Sequence, residues 1–414
     1  MRRRSFFASA AALGAIPLIT KEAQAQTAGV DMKITDIELW QVTGDAKNYD
    51  RYLDEEYPKG GMVRPASRQN QNAPSRVYLK ILTDAGAEGF LGPHDQSIVR
   101  EVMRARNIIG MDPMAIDTVW HRLVGTSNTG STMFGVSAIT NTLWDLKGKF
   151  CNLPVYRLLG GSRKVLYCYA TTIGMPIDTQ DVIAEGAARV KAQGFTAQKW
   201  FPTNGPREGG VGFEYNVNMM RTLREVCGST DEIMIDGLRH WDLPYAMKWC
   251  QAAEQYSPRW LEEPFQTYLQ AEPLARLRQM TTIPISTGEH NYNRWEFHEL
   301  FTAGSIDIAN PDPVWCGGIS EITRICAMAS AHGLIVSPHN MQNHALAHLV
   351  ASQPDSVCPY FEYRHGRYMG NKYFEVDPME HNGQSQIVLS DRPGFGIELD
   401  ESKIVNMEMI YAQS

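Results

Sequence analysis

Three carboxylates, Asp236, Glu262 and Glu289, each follow a short apolar run and are separated by 26 and 27 residues. That interval holds one strand, one helix and two loops. If the strands lie side by side, the three side chains point at one spot. Bare carboxylates repel one another, so the arrangement calls for a cation between them. All-oxygen ligation with open positions suits Mg²⁺ best. Each acid taken singly could instead cap the helix after it, but three in register argue for a metal. His339 closes another apolar run, with Asp312 27 residues before it. At that spacing a carboxylate can orient the imidazole and raise its basicity, as a general base requires. His344 and His348 stand i,i+4 on a helical pattern, where they could hold zinc; with no third ligand evident, they read as ordinary helix surface or core.

The elements that must position these groups follow from the apolar rhythm. From Val165 onward short apolar strands alternate with amphipathic helices, with strand ends expected near Ala170, Phe201, Asp236, Glu262, Ser286, Ala309, Ser337 and Phe361. Eight such units predict a closed parallel barrel rather than an open sheet. The first strand runs into Thr171-Thr172-Ile173-Gly174-Met175-Pro176, which lacks the Gly-rich turn of a nucleotide-binding open sheet. Ahead of the barrel, Lys33–Trp40, Arg76–Thr83 and Glu88–Gly92 read as a strand meander. Helical patterns follow over Ser97–Ile109, Ile116–Leu123 and Gly135–Phe150, which together make a small α+β domain.

Composition sets the outer bounds. The 414 residues are 43% hydrophobic and 21% charged, with a formal net charge of −7, an ordinary globular balance. The acidic sign argues against nucleic acid as a partner, yet a local metal or a few cations can still recruit an anionic small molecule. Seven scattered cysteines without a C-x-x-C pair make neither a disulfide framework nor a zinc ribbon. Residues 1–25 carry Arg2-Arg3-Arg4-Ser5-Phe6-Phe7, then an apolar run to Ile19, then Ala23-Gln24-Ala25. This is the order of a cleavable export signal of twin-arginine type, which predicts a periplasmic protein. No other segment is apolar enough to cross a membrane, so no membrane partner is expected once the signal is removed.

With these residues in place, the chain resembles the mandelate racemase/muconate lactonizing enzyme subgroup of the enolase superfamily. The likeness runs from Lys33-Ile34 through Trp144-Asp145-Leu146-Lys147-Gly148-Lys149 and Leu158-Leu159-Gly160-Gly161 to the Glu362 strand. Its most specific parts are Leu261-Glu262-Glu263-Pro264, Gly288-Glu289, Pro311-Asp312-Pro313 and Gly317-Gly318-Ile319. The resemblance implies an α/β fold, a modified TIM barrel (β/α)₇β with an N-terminal α+β capping domain. The expected division is capping domain 26–155 with a substrate lid at 44–74, barrel 156–368, and a C-terminal segment 369–414 packing back on the cap. Homo-oligomers are usual in the family, so one is expected here.

Residue by residue, the resemblance implies Asp236, Glu262 and Glu289 as Mg²⁺ ligands, and His339–Asp312 as the base dyad. It implies Glu362 as a hydrogen-bonding or acid group near the substrate carboxylate. Glu263 reads as structural. Racemases of the family carry Lys-x-Lys on the second barrel strand, whereas this chain has Lys199-Trp200-Phe201. Lys199 is present as a cationic stabiliser, but Phe201 cannot remove a proton. A single base favours abstraction of the α-proton followed by loss of a β-hydroxyl, the acid-sugar dehydratase reaction, on a small anionic aldonate or aldarate. Some relatives place a His two residues after the first metal ligand; here that residue is Leu238, with Arg239 and His240 as alternatives nearby. In the expected lid, Tyr52, Tyr57 and Arg64 are candidates for substrate hydroxyls or a distal carboxylate. The competing readings are a racemase or epimerase with an unrecognised second base, and a non-catalytic exported sugar-acid binding protein.

Overall fold

The computed structural model describes residues 32–56, 73–104, 107–126, 132–266, 271–341, 343–364 and 372–413. The proposed export signal, Tyr57 and Arg64 lie outside the described residues. The capping meander forms as expected: β1 (Ile34–Gly44), β2 (Ser75–Thr83) and β3 (Glu88–His94) pair antiparallel in that order. On β1 the apolar Ile34, Ile37, Leu39 and Val42 are buried against the core; Ile37 and Leu39 keep the two-residue alternation of a strand, and register shifts fall between Ile34 and Asp36 and between Leu39 and Trp40. The β2–β3 turn needs Gly86, whose φ of +75° is open to glycine at no steric cost. Gly89 on β3 is required for a different reason. A Cβ there would stand 2.3 Å from the Thr142 carbonyl oxygen, so only glycine lets the helix Thr132–Phe150 pack this closely on the sheet.

That helix ties the cap to the barrel. Its Asn141 donates from Nδ2 to the Pro313 carbonyl (2.9 Å) and accepts at Oδ1 from the Ile319 amide (2.9 Å). Ser137 Oγ accepts from the Gly317 amide at 2.8 Å. Asp145 accepts from the Phe90 and Phe395 amides, both at 2.8 Å, and is paired with Lys149. The loop 313–319 directly after Asp312 is therefore clamped by buried polar groups, all of them satisfied.

The barrel strands are β4 (Val165–Thr171), β5 (Ala197–Trp200), β6 (Glu232–Asp236), β7 (Trp260–Glu262), β8 (Ile285–Thr287), β9 (Ile308–Ala309), β10 (Ile335–Val336) and β11 (Phe361–Arg364). Each pairs parallel with the next up to β10, and β11 pairs with β4. The seam between β10 and β11 carries no ladder; it is bridged by the Val336 amide to the Val357 carbonyl, at 2.7 Å. Among the described residues seven α-helices fill the seven intervals, giving a (β/α)₇β barrel under an α+β cap. Beyond β11 the described residues add β12 (Gln386–Val388), antiparallel to β4, and β13 (Ile404–Gln413), antiparallel to β1 at the edge of the capping sheet.

His94, at the end of β3, is buried, and desolvation pushes its imidazole down to about 4. The folded state therefore binds this proton less readily than the unfolded chain. Its contribution is complete above the unfolded pKa near 6.5 and is lost as pH falls toward 4, to the extent of about 3 kcal/mol. His94→Gln should flatten the fall in stability between pH 6.5 and 4, measured by denaturant titration. An unchanged pH slope would refute the assignment.

Candidate active site

Two layers of inward-facing residues explain how the site is built. The lower layer is an apolar floor of Tyr169, Ala197, Met234, Trp260, Ile308 and Tyr360. Side chains alternate along a strand, so the next inward position is two residues on. Two residues beyond this floor stand Thr171, Lys199, Asp236, Glu262, Asn310 and Glu362, all buried. The polar ring sits at the C-terminal strand ends, where barrel chemistry is found.

Lys199 is the centre of that ring and is 1% exposed. Its Nζ lies 2.5 Å from Glu262 Oε1, 3.1 Å from Glu362 Oε1 and 3.7 Å from Asp236 Oδ2. Burial works against its charge, but Glu262 and Glu362 outweigh burial and hold its pKa well above the ordinary value. Burial and the neighbouring Glu262 raise the Asp236 carboxyl well above its usual range, although Lys199 opposes this. Burial also raises Glu262. Glu362 is lowered in spite of burial, chiefly by Lys199 and then by His339.

The second half of the site is the expected dyad. His339 Nδ1 lies 2.7 Å from Asp312 Oδ2. Asp312 also accepts from the amides of Met341 (2.9 Å) and Val314 (2.6 Å). A carboxylate surrounded by donors leaves the Nδ1 position protonated, so Nε2 is the working atom. Nε2 is 3.1 Å from Glu289 Oε2. Against the cost of burial, Glu289, Glu362 and Asp312 raise the imidazole to about 9. Burial likewise opposes the ionised form of Glu289, yet His339 and then His290 keep its pKa below the usual carboxylate range.

Asp236 and Glu262 are cross-strand partners. Glu289 falls three residues past Ser286, the partner of Glu262, and follows Gly288 in the loop. Among the described residues, Glu263, Glu289 and His290 each bring one ligand atom to within 4.8 Å of the others. Lys199 holds Asp236 and Glu262 on one side, while the two imidazoles draw Glu289 to the other. The sequence reading makes Glu263 structural and does not single out His290; the adjacencies Glu262-Glu263 and Glu289-His290 are the available signal. His290 Nδ1 lies 3.2 Å from Glu263 and 3.1 Å from Glu289.

Asp236, Glu262, Glu263, Glu289, Asp312 and Glu362 together outnumber Lys199, the imidazoles of His290 and His339, and the partly exposed Arg239, whose Nε lies 3.5 Å from Glu263. An oxygen-rich donor set with surplus negative charge fits a hard divalent cation. Phe201 is buried with its ring 5.6 Å from Lys199 Nζ, so an apolar face stands where a second lysine would be.

The His240 side chain is exposed. Tyr52 packs in the capping domain, edge-on to Tyr373 at 5.3 Å. His344 and His348 are buried. His344 pairs with Glu375 at 3.1 Å, and His348 Nδ1 accepts from the Tyr156 amide at 3.1 Å; both are core histidines.

A capped (β/α)₇β barrel with acids and a His–Asp pair at its strand ends defines the class. Residues 63–160 match the mandelate racemase/muconate lactonizing enzyme N-terminal domain, and residues 181–403 the enolase C-terminal domain-like family. The chain belongs to the enolase superfamily, in its mandelate racemase/muconate lactonizing enzyme subgroup. It is 30% identical over 395 residues to the L-rhamnonate dehydratase of Saccharopolyspora erythraea, covering 89% of this chain and 97% of that one. A member of the enolase superfamily from Salmonella Typhimurium superposes with a TM-score of 0.76 at 23% identity, covering 92% and 100% of the two chains. L-talarate dehydratase from Polaromonas sp. JS666, complexed with Mg and L-glucarate, superposes at 0.70 with 21% identity, covering 92% and 99%. These two likenesses speak for the fold.

Proposed function

We propose that this protein is a Mg²⁺-dependent acid-sugar dehydratase that converts an aldonate or aldarate to a 2-keto-3-deoxy acid. The observation that carries this reading is the pairing of one general base, His339 held by Asp312 at 2.7 Å, with an apolar residue, Phe201, whose ring lies 5.6 Å from Lys199 Nζ. Loss of a β-hydroxyl needs one base, and racemisation needs two. The 30% identical relative named for dehydration of L-rhamnonate supports the same class.

Asp236, Glu262 and Glu289 would hold the cation, with Glu263 and His290 beside them. A bound divalent cation supplies electrostatic stabilisation of negative charge on the substrate carboxylate. In its neutral form His339 accepts at Nε2 the proton on the carbon α to that carboxylate, and the electron pair moves into an enediolate. Lys199 places its ammonium where that charge develops. The pair then returns to form the α,β double bond as the β C–O bond breaks. The protonated His339 gives its proton to the departing hydroxide, so water leaves, and the resulting enol ketonises. Glu362, held by Lys199 and by the Asn340 amide at 2.8 Å, contacts the substrate carboxylate end.

Export by a twin-arginine route to the periplasm and assembly as a homo-oligomer are further parts of this reading. They rest on the N-terminal residues and on family habit respectively. The mature protein should be screened with Mg²⁺ against aldonates and aldarates, with detection of 2-keto-3-deoxy acids and a chelated control. The expected result is one or a few substrates dehydrated, with activity abolished by chelation and restored by Mg²⁺. Exchange of the α-proton with solvent deuterium without dehydration would replace this reading by racemisation, and binding without either would replace it by a sugar-acid receptor.

A further inference from the structure

Glu262 is the most buried of the acids on adjacent barrel strands, at 0% exposure, and both of its oxygens are engaged. Oε1 faces the Lys199 ammonium at 2.5 Å. Oε2 accepts from the indole Nε1–H of Trp260 at 2.8 Å. Trp260 sits two residues earlier on β7, in the floor layer, and is itself fully buried. Its ring is fixed by edge contacts to Tyr169 and Tyr360, each with centroids 5.6 Å apart. An indole nitrogen can only donate, so it stabilises the ionised carboxylate.

We propose that Trp260 is a positioning residue for the Glu262 carboxylate. Its N–H occupies Oε2 and presents Oε1 alone to the site, so a divalent cation is met by one oxygen in a fixed direction. The consequence is tighter cation binding. Without the indole N–H, Glu262 is free to rotate about its last torsion, and a buried oxygen is left without a donor. Outer partners of this kind typically change metal affinity 10–100-fold. This inference rests on the reading that Glu262 helps hold the cation.

The test uses the full mature chain and Mn²⁺, whose free concentration is read directly by electron paramagnetic resonance. Trp260→Phe keeps an aromatic ring in the floor and removes the N–H. Its Mn²⁺ dissociation constant should rise about tenfold or more, while Tyr169→Phe, which disturbs the floor without touching this bond, should leave it within about twofold. A folded Trp260→Phe protein that binds Mn²⁺ as the parent does would overturn the proposal. If Trp260→Phe does not fold, indole N–H resonances of the ¹⁵N-tryptophan-labelled parent decide the matter. One should move on addition of Mg²⁺, and the absence of any response counts against Trp260. A parent that fails to bind Mn²⁺, or Glu262→Gln binding with unchanged affinity, would instead remove the metal-site reading itself.

Discussion

His339→Asn should lower kcat on any dehydrated acid sugar by about 10²–10⁴-fold, the contribution usual for a positioned proton-transfer group. Asparagine retains a side-chain donor near Asp312 but offers no group that can carry the α-proton. Glu289 loses the imidazole beside it, but every carboxylate is retained, so Mn²⁺ affinity should change far less than turnover. Elimination and proton exchange should fall together, because one atom serves both the removal and the return of the proton. The measurement is a pair of assays, product formation and exchange of the α-proton in deuterated solvent. Retained exchange with lost elimination would show that another group removes the proton and that His339 acts only as the acid. Retained turnover in a folded variant would remove His339 from the mechanism.

The second large effect is expected at Lys199. The ammonium is 1% exposed and lies within 4 Å of Asp236, Glu262 and Glu362. Lys199→Met keeps the length of the aliphatic stem but leaves three buried acids without their central counter-charge. Breaking such a pair costs about 3–5 kcal/mol, because the remaining charges stay desolvated. The loss should be largest in a chelating buffer at neutral pH. It should shrink toward acidic pH, where the acids take up protons. Turnover should also fall by about 10²–10³-fold, the effect of removing one donor to developing negative charge. Chemical denaturation with and without Mg²⁺ separates the two contributions. A chelated variant as stable as the chelated parent would show that the ammonium does not hold the acids together.

These expectations differ in how far the sequence alone could supply them. The His339–Asp312 pair was legible because each residue ends an apolar run one βα unit from the other, and parallel strands one unit apart become neighbours. The same logic placed Asp236 beside Glu262, and the register confirms that contact. Lys199 was legible as a residue of the second strand but not as the common partner of three acids. That role depends on β5, β6, β7 and β11 curving round one axis, which a linear spacing does not express. Trp260 was hidden because an indole on an apolar strand looks like packing; its polar edge matters only once Glu262 is seen above it.

By itself, the sequence determined the order of strands and helices, the capping meander, the barrel, and which strand ends carry acids and a histidine. Those features follow from local rules, namely alternation along strands, helical periodicity and the length of a βα unit. Tertiary structure decided which charges face which. Leu238, Arg239 and Glu263 adopt positive φ, at 49°, 61° and 37°. Backbone bonds from Gly237 to Glu262 and from Arg239 to Glu263, both 2.8 Å, lock the two loops together. Non-glycine residues hold such conformations only where the surrounding structure enforces them. That enforcement turns Glu263 toward His290 and leaves Glu289 to face His339, an arrangement set by loops converging over the barrel mouth rather than by spacing along the chain.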